Sequence, residues 1–231
     1  MKITFFPSNQ EAYNFVPHPK PAKMYIPDWY KSIKPLKENE LIFNEKIQVD
    51  NFNVKHCVPY LDSMTSGYIQ ELWTDILIEK QGNEILYRNA TSPSPISVRN
   101  KVSVKINQDF YPFEFIWQRH WSIELPKGYS ILLTHPLNRV DLPFETLSAV
   151  IDSDTFQFHG VGNIPFFIKK DFVGIIPAGT PMYQIIPFKR EDWNSEVKEY
   201  DELTKEKLER KIRRHFLHSY KKQFWQKKTY N

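Results

Sequence analysis

Two groups of polar residues have the types and spacing for chemistry. His135, Asn138, Arg139 and Asp141 fall between Pro136 and Pro143 or just before them, and Asp152 and Asp154 follow a short apolar run. Histidine titrates near neutral pH, so His135 can ligate a metal or move a proton. Arg139 offers a planar fork that grips a carboxylate or phosphate through two parallel hydrogen bonds. With Asn138 and Asp141 beside it, the loop suits a small polar or anionic ligand. Asp152 and Asp154 stand two apart; on a strand they share a face and their carboxylates repel. A metal, a shared proton or a neighbouring arginine would explain keeping both. The candidate catalytic residues are therefore His135, Asp152 and Asp154, and the candidate ligand-binding residues are Asn138, Arg139 and Asp141. Plainer roles stand beside these. An Arg139–Asp141 ion pair, with His135 bonded to backbone, would simply hold the loop, and the two aspartates would cap turns or face water.

These residues need elements to position them. Pro126-Lys127-Gly128 is a turn signal ahead of the apolar run Tyr129 to Leu133, which reads as a buried strand. Leu147 to Ile151 is a second run, and Gly174 to Phe188 reads as a hairpin turning at Pro177-Ala178-Gly179. The short return from the His135 loop through Phe144 predicts that Arg139 and Asp152 line one pocket. Elsewhere, residues 1–6, 45–59, 69–78, 84–88 and 98–106 alternate as strands, with Gln81-Gly82-Asn83 closing a hairpin. Residues 7–40 carry Pro17, Pro19, Pro21, Pro27 and Pro35 with Tyr25, Trp29 and Tyr30, and read as a strap packed across the body, with a short helix opening at Pro27. Tyr60 to Tyr68 reads as a turn in which Gly67 holds the special backbone conformation. Short strands at this spacing predict a sandwich or barrel.

The texture changes after Phe188. Residues 201–228 contain no proline or glycine, and Leu208, Ile212, Phe216, Tyr220 and Phe224 recur every four residues, predicting one long amphipathic helix. The whole chain carries +4, whereas residues 205–231 hold ten Lys/Arg against two Glu; the remainder is therefore mildly acidic. Lys207, Arg210, Lys211, Arg213, Arg214, Lys221 and Lys222 give the helix a basic face. Such a face binds nucleic acid or another acidic partner in a salt-dependent way. Packing of the apolar stripe on the body, or on a second copy in a homo-oligomer, is the simpler use. The domain reading is one β-rich domain over 1–190, strap included, followed by the basic helix over 201–228.

Seventeen prolines, seven glycines and 15% aromatics favour strands and irregular connections over a helical bundle. The single cysteine, Cys57, excludes an internal disulfide and a cysteine-based zinc cluster, and fits a reducing compartment. No stretch has membrane-spanning length, and MKITFFPSNQ has no signal-peptide core, so the expectation is a cytoplasmic protein with no membrane partner. His120, His135 and His159 supply imidazoles, but neither His-x-Asp nor His-Glu-x-x-His spacing is present, so metal and cofactor stay unassigned. Cys57 beside His56 reads as a small buried hydrophobe rather than a nucleophile.

Two resemblances arise. Pro21-Ala22, Ile26 to Trp29, Cys57-Val58-Pro59, Leu61-Asp62, Gly67-Tyr68, Trp121 before Gly128 to Ser130, Thr134-His135-Pro136, Asn138-Arg139, Asp141 to Phe144, Asp152 with Asp154 and Gly179-Thr180-Pro181 resemble an uncharacterised family of bacterial and phage proteins. That resemblance implies one domain and assigns no activity. Separately, VIDSD, then Asn163, then GIIPAGTPMYQIIPF resembles the dUTPase and dCTP-deaminase group, as does Pro126 to Leu133. It implies a β-clip fold, with Asp152 where dUTPases keep the carboxylate that activates water. Thr134 to Asn138 stands where the group has its Arg-Ser-Gly phosphate motif, and Thr155 where it has an aromatic residue. The fold expectation is therefore mainly β, β-clip-like or a related sandwich or barrel, with one long C-terminal helix. Three functions follow: a site-bearing β protein, which an enzyme would also satisfy, acting on a small polar or anionic ligand; a non-catalytic assembly or interaction protein of viral or accessory kind; and a nucleotide hydrolase or deaminase relative without the phosphate motif. Lacking that motif, the chain is predicted not to hydrolyse deoxyuridine triphosphate.

Overall fold

Trp117 marks where the sheets of this chain close over their core. A computed structural model describes residues 1–34, 53–82, 84–99, 102–156, 163–214 and 219–231. Its elements are β1 (Thr4–Pro7), α1 (Gln10–Phe15), β2 (Lys20–Pro21), α2 (Asp28–Ser32), α3 (Val58–Thr65), β3 (Tyr68–Glu71), β4 (Ile76–Gln81), β5 (Glu84–Asn89), β6 (Ile96–Arg99) and β7 (Glu114–Gln118). There follow β8 (Trp121–Glu124), β9 (Tyr129–Thr134), β10 (Phe144–Thr146), β11 (Ala149–Ile151), β12 (Asn163–Ile168), β13 (Gly174–Ile176), β14 (Pro181–Lys189), α4 (Glu202–Arg213) and α5 (Ser219–Gln223). The fold is mainly β with a helical C-terminal region, as the sequence predicts.

The chain divides into two units, one of residues 1–25, 65–190 and 230–231, the other of residues 26–64 and 191–229. Among the described residues, the first holds every sheet. Its five-stranded sheet runs β11-β9-β14-β3-β2 and its four-stranded sheet β10-β12-β7-β6, with a three-stranded β13-β4-β5 and a β1-β8 pair. All pairings are antiparallel. Inside, the Trp117 indole stacks on Phe166 with ring centres 3.6 Å apart and meets the Phe144 ring edge-on at 5.0 Å. Its Nε1 donates to Thr146 Oγ1 at 3.0 Å, and that hydroxyl donates to the Met182 carbonyl of β14 at 2.8 Å. The buried indole thus keeps its one polar atom satisfied while joining the two larger sheets.

The second unit is helical. Tyr30 of α2 stacks on Tyr60 of α3, and Lys55 Nζ donates to the Tyr30 carbonyl at 2.8 Å. Asp62 accepts from Trp225 Nε1 at 2.8 Å and Lys228 Nζ at 2.6 Å. Asp201 caps α4 by accepting from the Leu203 and Thr204 amides.

Several local expectations change. Val58–Thr65 is helical rather than a turn, while Gly67 does hold a left-handed φ of 71°. The strap also contains α1, which Asn9 caps at the Ala12 amide, while the short helix expected at Pro27 is present as α2 with Pro27 at its N-cap. Most of the strand expected over 45–59 lies outside the described residues; its end, Val54–His56, is a 3-10 turn. Val102 and Val104 are in no strand and are exposed. The run Gly174 to Phe188 does turn at Gly179, yet β13 pairs with β4 whereas β14 pairs with β3 and β9. Among the described residues the C-terminal region holds two helices, α4 and α5: Gln223 Nε2 donates to the Lys211 carbonyl and Lys211 Nζ lies 4.8 Å from the Phe224 ring. One continuous helix would hold residues 211 and 223 about 18 Å apart. The apolar stripe is therefore broken; Leu208, Ile212 and Tyr220 remain 46–48% exposed, and Phe216 lies outside the described residues.

Candidate functional site

The six polar residues sit at the two ends of one strand. Ser130, near the start of β9, pairs with Phe188 of β14, and Thr134, at its end, pairs with Gln184. Four residues of extended chain separate these ends by about 13 Å. Asp152 and Asp154 lie at the Ser130 end, because β11 pairs with β9 up to Ile151↔Ile131 and then stops. His135, Asn138, Arg139 and Asp141 leave from the Thr134 end. The single pocket expected for Arg139 and Asp152 is thus not formed; the direction of β9 parts them.

At the first end the organising residue is Arg190, which the sequence reading did not single out. It continues the β14 ladder, its amide donating to the Gly128 carbonyl at 2.8 Å. That places its guanidinium across the start of β9. Nη1 donates to Asp152 Oδ1 at 3.2 Å, Asp154 Oδ1 at 3.0 Å, Ser130 Oγ at 2.9 Å and the Tyr129 carbonyl at 3.0 Å, while Nη2 pairs with Asp154 Oδ2. Ser130 Oγ donates to Asp152 Oδ1 at 2.6 Å and the Gly128 amide to Asp154 Oδ2 at 2.7 Å. The neighbouring arginine named as one explanation for two aspartates this close is present. The aspartates also sit on a turn rather than a strand, the Asp152 carbonyl accepting from the Thr155 and Phe156 amides.

The Arg190 guanidinium, and then the Gly128 amide, hold the Asp154 carboxyl at about 2, below its ordinary 3.8. A carboxyl so placed stays ionised near neutrality and has no proton to give. Because its folded value is depressed, this contact stabilises the fold above 3.8 and the contribution disappears as pH falls from there to about 2. Urea unfolding across pH is expected to show Asp154→Asn less stable than the parent by a constant gap near neutrality. The gap should close across that acid window; a gap that persists at its floor contradicts the assignment.

At the second end the loop is held by its own side chains. Arg139 grips Asp141 through Nε–Oδ1 at 2.9 Å and Nη2–Oδ2 at 2.8 Å, and its Nη1 donates to the Tyr25 carbonyl at 3.4 Å. The Thr146 amide donates to His135 Nδ1 at 3.3 Å, which leaves the proton on Nε2, 3.1 Å from the Arg139 carbonyl. Burial pushes the His135 imidazole below its ordinary value, opposed by that carbonyl, so the ring is neutral at pH 7. Asn138 takes the left-handed conformation, φ 61°, that Asn tolerates best among larger residues. Gln184, buried in β14, accepts from the Leu137 amide at 2.8 Å and donates to the Ser66 carbonyl at 2.6 Å. The plainer roles set out for these residues are the ones their contacts describe.

Asp141 also lines a cleft of about 960 Å³, together with Leu142, Pro143, Glu145, Lys169, Lys170, Asp171 and Phe172. Asn107–Phe110, the Ile175–Pro177 stretch and Thr180 complete its walls. Asp141 is paired with Arg139, so three further carboxylates, of Asp109, Glu145 and Asp171, face two lysines, and Lys169 Nζ is committed to the Val140 carbonyl at 2.8 Å. Among the described residues no three His, Cys, Asp or Glu side chains are grouped to hold a metal ion. His159 lies outside them. Among the described residues, too, no helix is long and apolar enough to cross a membrane. Lys169, Lys170 and Asp171 went unremarked in the sequence because they read as an ordinary polar turn.

No protein-family model matches the chain, and no curated protein matches it. Among solved structures it is similar to a mutant dUTPase from phage phi11 of S. aureus, described with a structural Mg(II) ion. The identity is 15% and the TM-score 0.29, over 73% of this chain and 95% of that one. A likeness this slight carries neither residues nor an activity across, and the resemblance to the uncharacterised bacterial and phage family gains no match. The chain is a mainly β protein with a helical C-terminal region.

Proposed function

We propose that this protein binds a small polar ligand bearing a cationic group in the cleft beside Asp141, and that Asp152 and Asp154 serve the fold rather than catalysis. The cleft's surplus of carboxylates carries the reading. With Asp141 paired to Arg139, the carboxylates of Asp109, Glu145 and Asp171 still outnumber Lys169 and Lys170 around a volume that suits a small molecule. Local negative potential in a cleft with apolar walls favours a cation and repels a polyanion. The anionic side of the original expectation is therefore set aside in favour of a polar, positively charged ligand.

Thermal unfolding with agmatine and with citrate tests this. Agmatine is expected to raise the melting temperature saturably, citrate not, and Glu145→Gln with Asp171→Asn to remove the agmatine effect. Stabilisation by citrate alone would sink the reading. The same acidity supports the expectation that deoxyuridine triphosphate is not hydrolysed, for a triphosphate needs cationic or backbone-amide cradling. Phosphate release from deoxyuridine triphosphate that is lost in Asp152→Asn would overturn it, and would restore Asp152 as a catalytic base.

A further inference from the structure

Two end strands line the cleft beside Asp141. β10 stands at one end of the four-stranded sheet and contributes Glu145; β13 stands at one end of the three-stranded sheet and contributes Ile175 and Ile176. Successive residues of a strand point to opposite faces, and these two differ accordingly, Ile176 being buried and Ile175 more than half exposed. A cleft lined by both runs along the edge of β13 rather than over one of its faces.

That edge carries unused main-chain groups. β13 pairs with β4 alone, from Gly174↔Ile78 to Ile176↔Ile76. In an antiparallel pair, alternate residues turn their N–H and C=O away from the partner strand. Among the described residues, no group outside β4 bonds the main chain of residues 174–176. The edge of β10 differs, since the Thr146 amide is taken by His135 Nδ1. Natural sheets commonly blunt an exposed edge with a charged side chain or a proline; Gly174–Ile176 has neither. Glu145 and Asp171 line the same cleft, and among the described residues neither is in an ion pair.

We propose that an extended peptide segment bearing lysine or arginine pairs with the outer edge of β13, its cationic side chain lying against Glu145 and Asp171. This rests on the reading of the cleft as a site for a cationic group, and it identifies the bearer of that group as a segment of another protein. Main-chain hydrogen bonds supply the affinity and the carboxylates select the side chain, as in other cases of strand addition. The cleft's volume of about 960 Å³ stands at the top of the roughly 300–1,000 Å³ usual for small-molecule sites.

Calorimetric titration of the full chain tests the proposal. The ligands are agmatine, acetyl-Thr-Lys-Thr-Lys-Thr-amide, its counterpart with glutamate for lysine, and two forms of the lysine peptide N-methylated at alternate amides, one for each register. The lysine peptide is expected to bind at least about tenfold tighter than agmatine, because main-chain bonds add to the same charge contact. The glutamate peptide should not bind saturably. One of the two methylated forms should fall back to the affinity of agmatine, since a strand turns only alternate amides to its neighbour. Hydrogen exchange at the outward amides of β13 should slow with the lysine peptide and not with agmatine. A lysine peptide no tighter than agmatine, two methylated forms that both bind like the parent peptide, or β13 exchange unchanged at saturating peptide would each overturn the strand pairing and leave the preference for a cation standing. Tighter binding of the glutamate peptide, or no saturable binding of agmatine and lysine peptide alike, would overturn that preference and the pairing with it.

Discussion

Alanine at Gly67 is expected to destabilise the protein by roughly 2–5 kcal/mol, whereas alanine at Gly128 should cost only about 1–2 kcal/mol. Both glycines hold left-handed backbone, φ 71° and 86°. They differ in their surroundings. A Cβ on Gly67 would stand 2.0 Å from the Ile185 carbonyl oxygen and 2.9 Å from its carbon, whereas one on Gly128 would meet nothing within 4 Å. The crowding atoms are backbone of β14, held by pairing with β3 and β9, so they cannot swing away as a side-chain tip would. The Ser66 and Gly67 carbonyls are also in use, accepting from Gln184 Nε2 and the Ala22 amide. Urea denaturation of the two variants separates the shared left-handed penalty from the steric one; equal losses would show that the close approach is not maintained.

Trp117→Ala is expected to cost about 3–5 kcal/mol, the range for removing a large buried aromatic side chain. Domains are commonly stable by only about 5–15 kcal/mol, so the variant should melt far below the parent or fail to accumulate. The loss has two sources. Phe166 and Phe144 lose the ring they pack on, and Thr146 Oγ1 loses its donor inside the core. Trp117→Phe keeps most of the packing and removes the hydrogen bond, so it should cost less, about 1–2 kcal/mol. Equilibrium unfolding of both variants checks the order; a Phe variant as damaged as the Ala variant would place the weight on the Thr146 bond instead.

The strands that frame the first carboxylate cluster were legible because their signals are local. Pro126 to Gly128 turns the chain, and Tyr129–Thr134 is a strand. β4 and β5 form the hairpin expected around Gly82. What could not be read is which strands pair. Gly179 turns the chain between β13 and β14, but each finds its partners elsewhere, at β4 and at β3 with β9. The same limit governed the site. Arg139 and Asp152 are thirteen positions apart, and that closeness suggested one pocket until the course of β9 separated them. Arg190 stands 36 positions beyond Asp154 and yet touches it, because β14 runs beside β9. The one clue was chemical: two aspartates that close ask for a counter-charge, and arginine was among the candidates without an address.

The two clusters divide the β unit by role. The Arg190 cluster neutralises its aspartates and ties the end of β14 to the turn before β9, while the cleft at the other end leaves acidic side chains facing an open volume. Amide chemical-shift mapping during an agmatine titration tests that division most directly. The expected result is progressive, saturable shifts at Asp141, Glu145, Lys170 and Asp171, with Ser130, Asp152, Asp154 and Arg190 unmoved. Shifts centred on Asp152 and Asp154, with the cleft silent, would contradict the account.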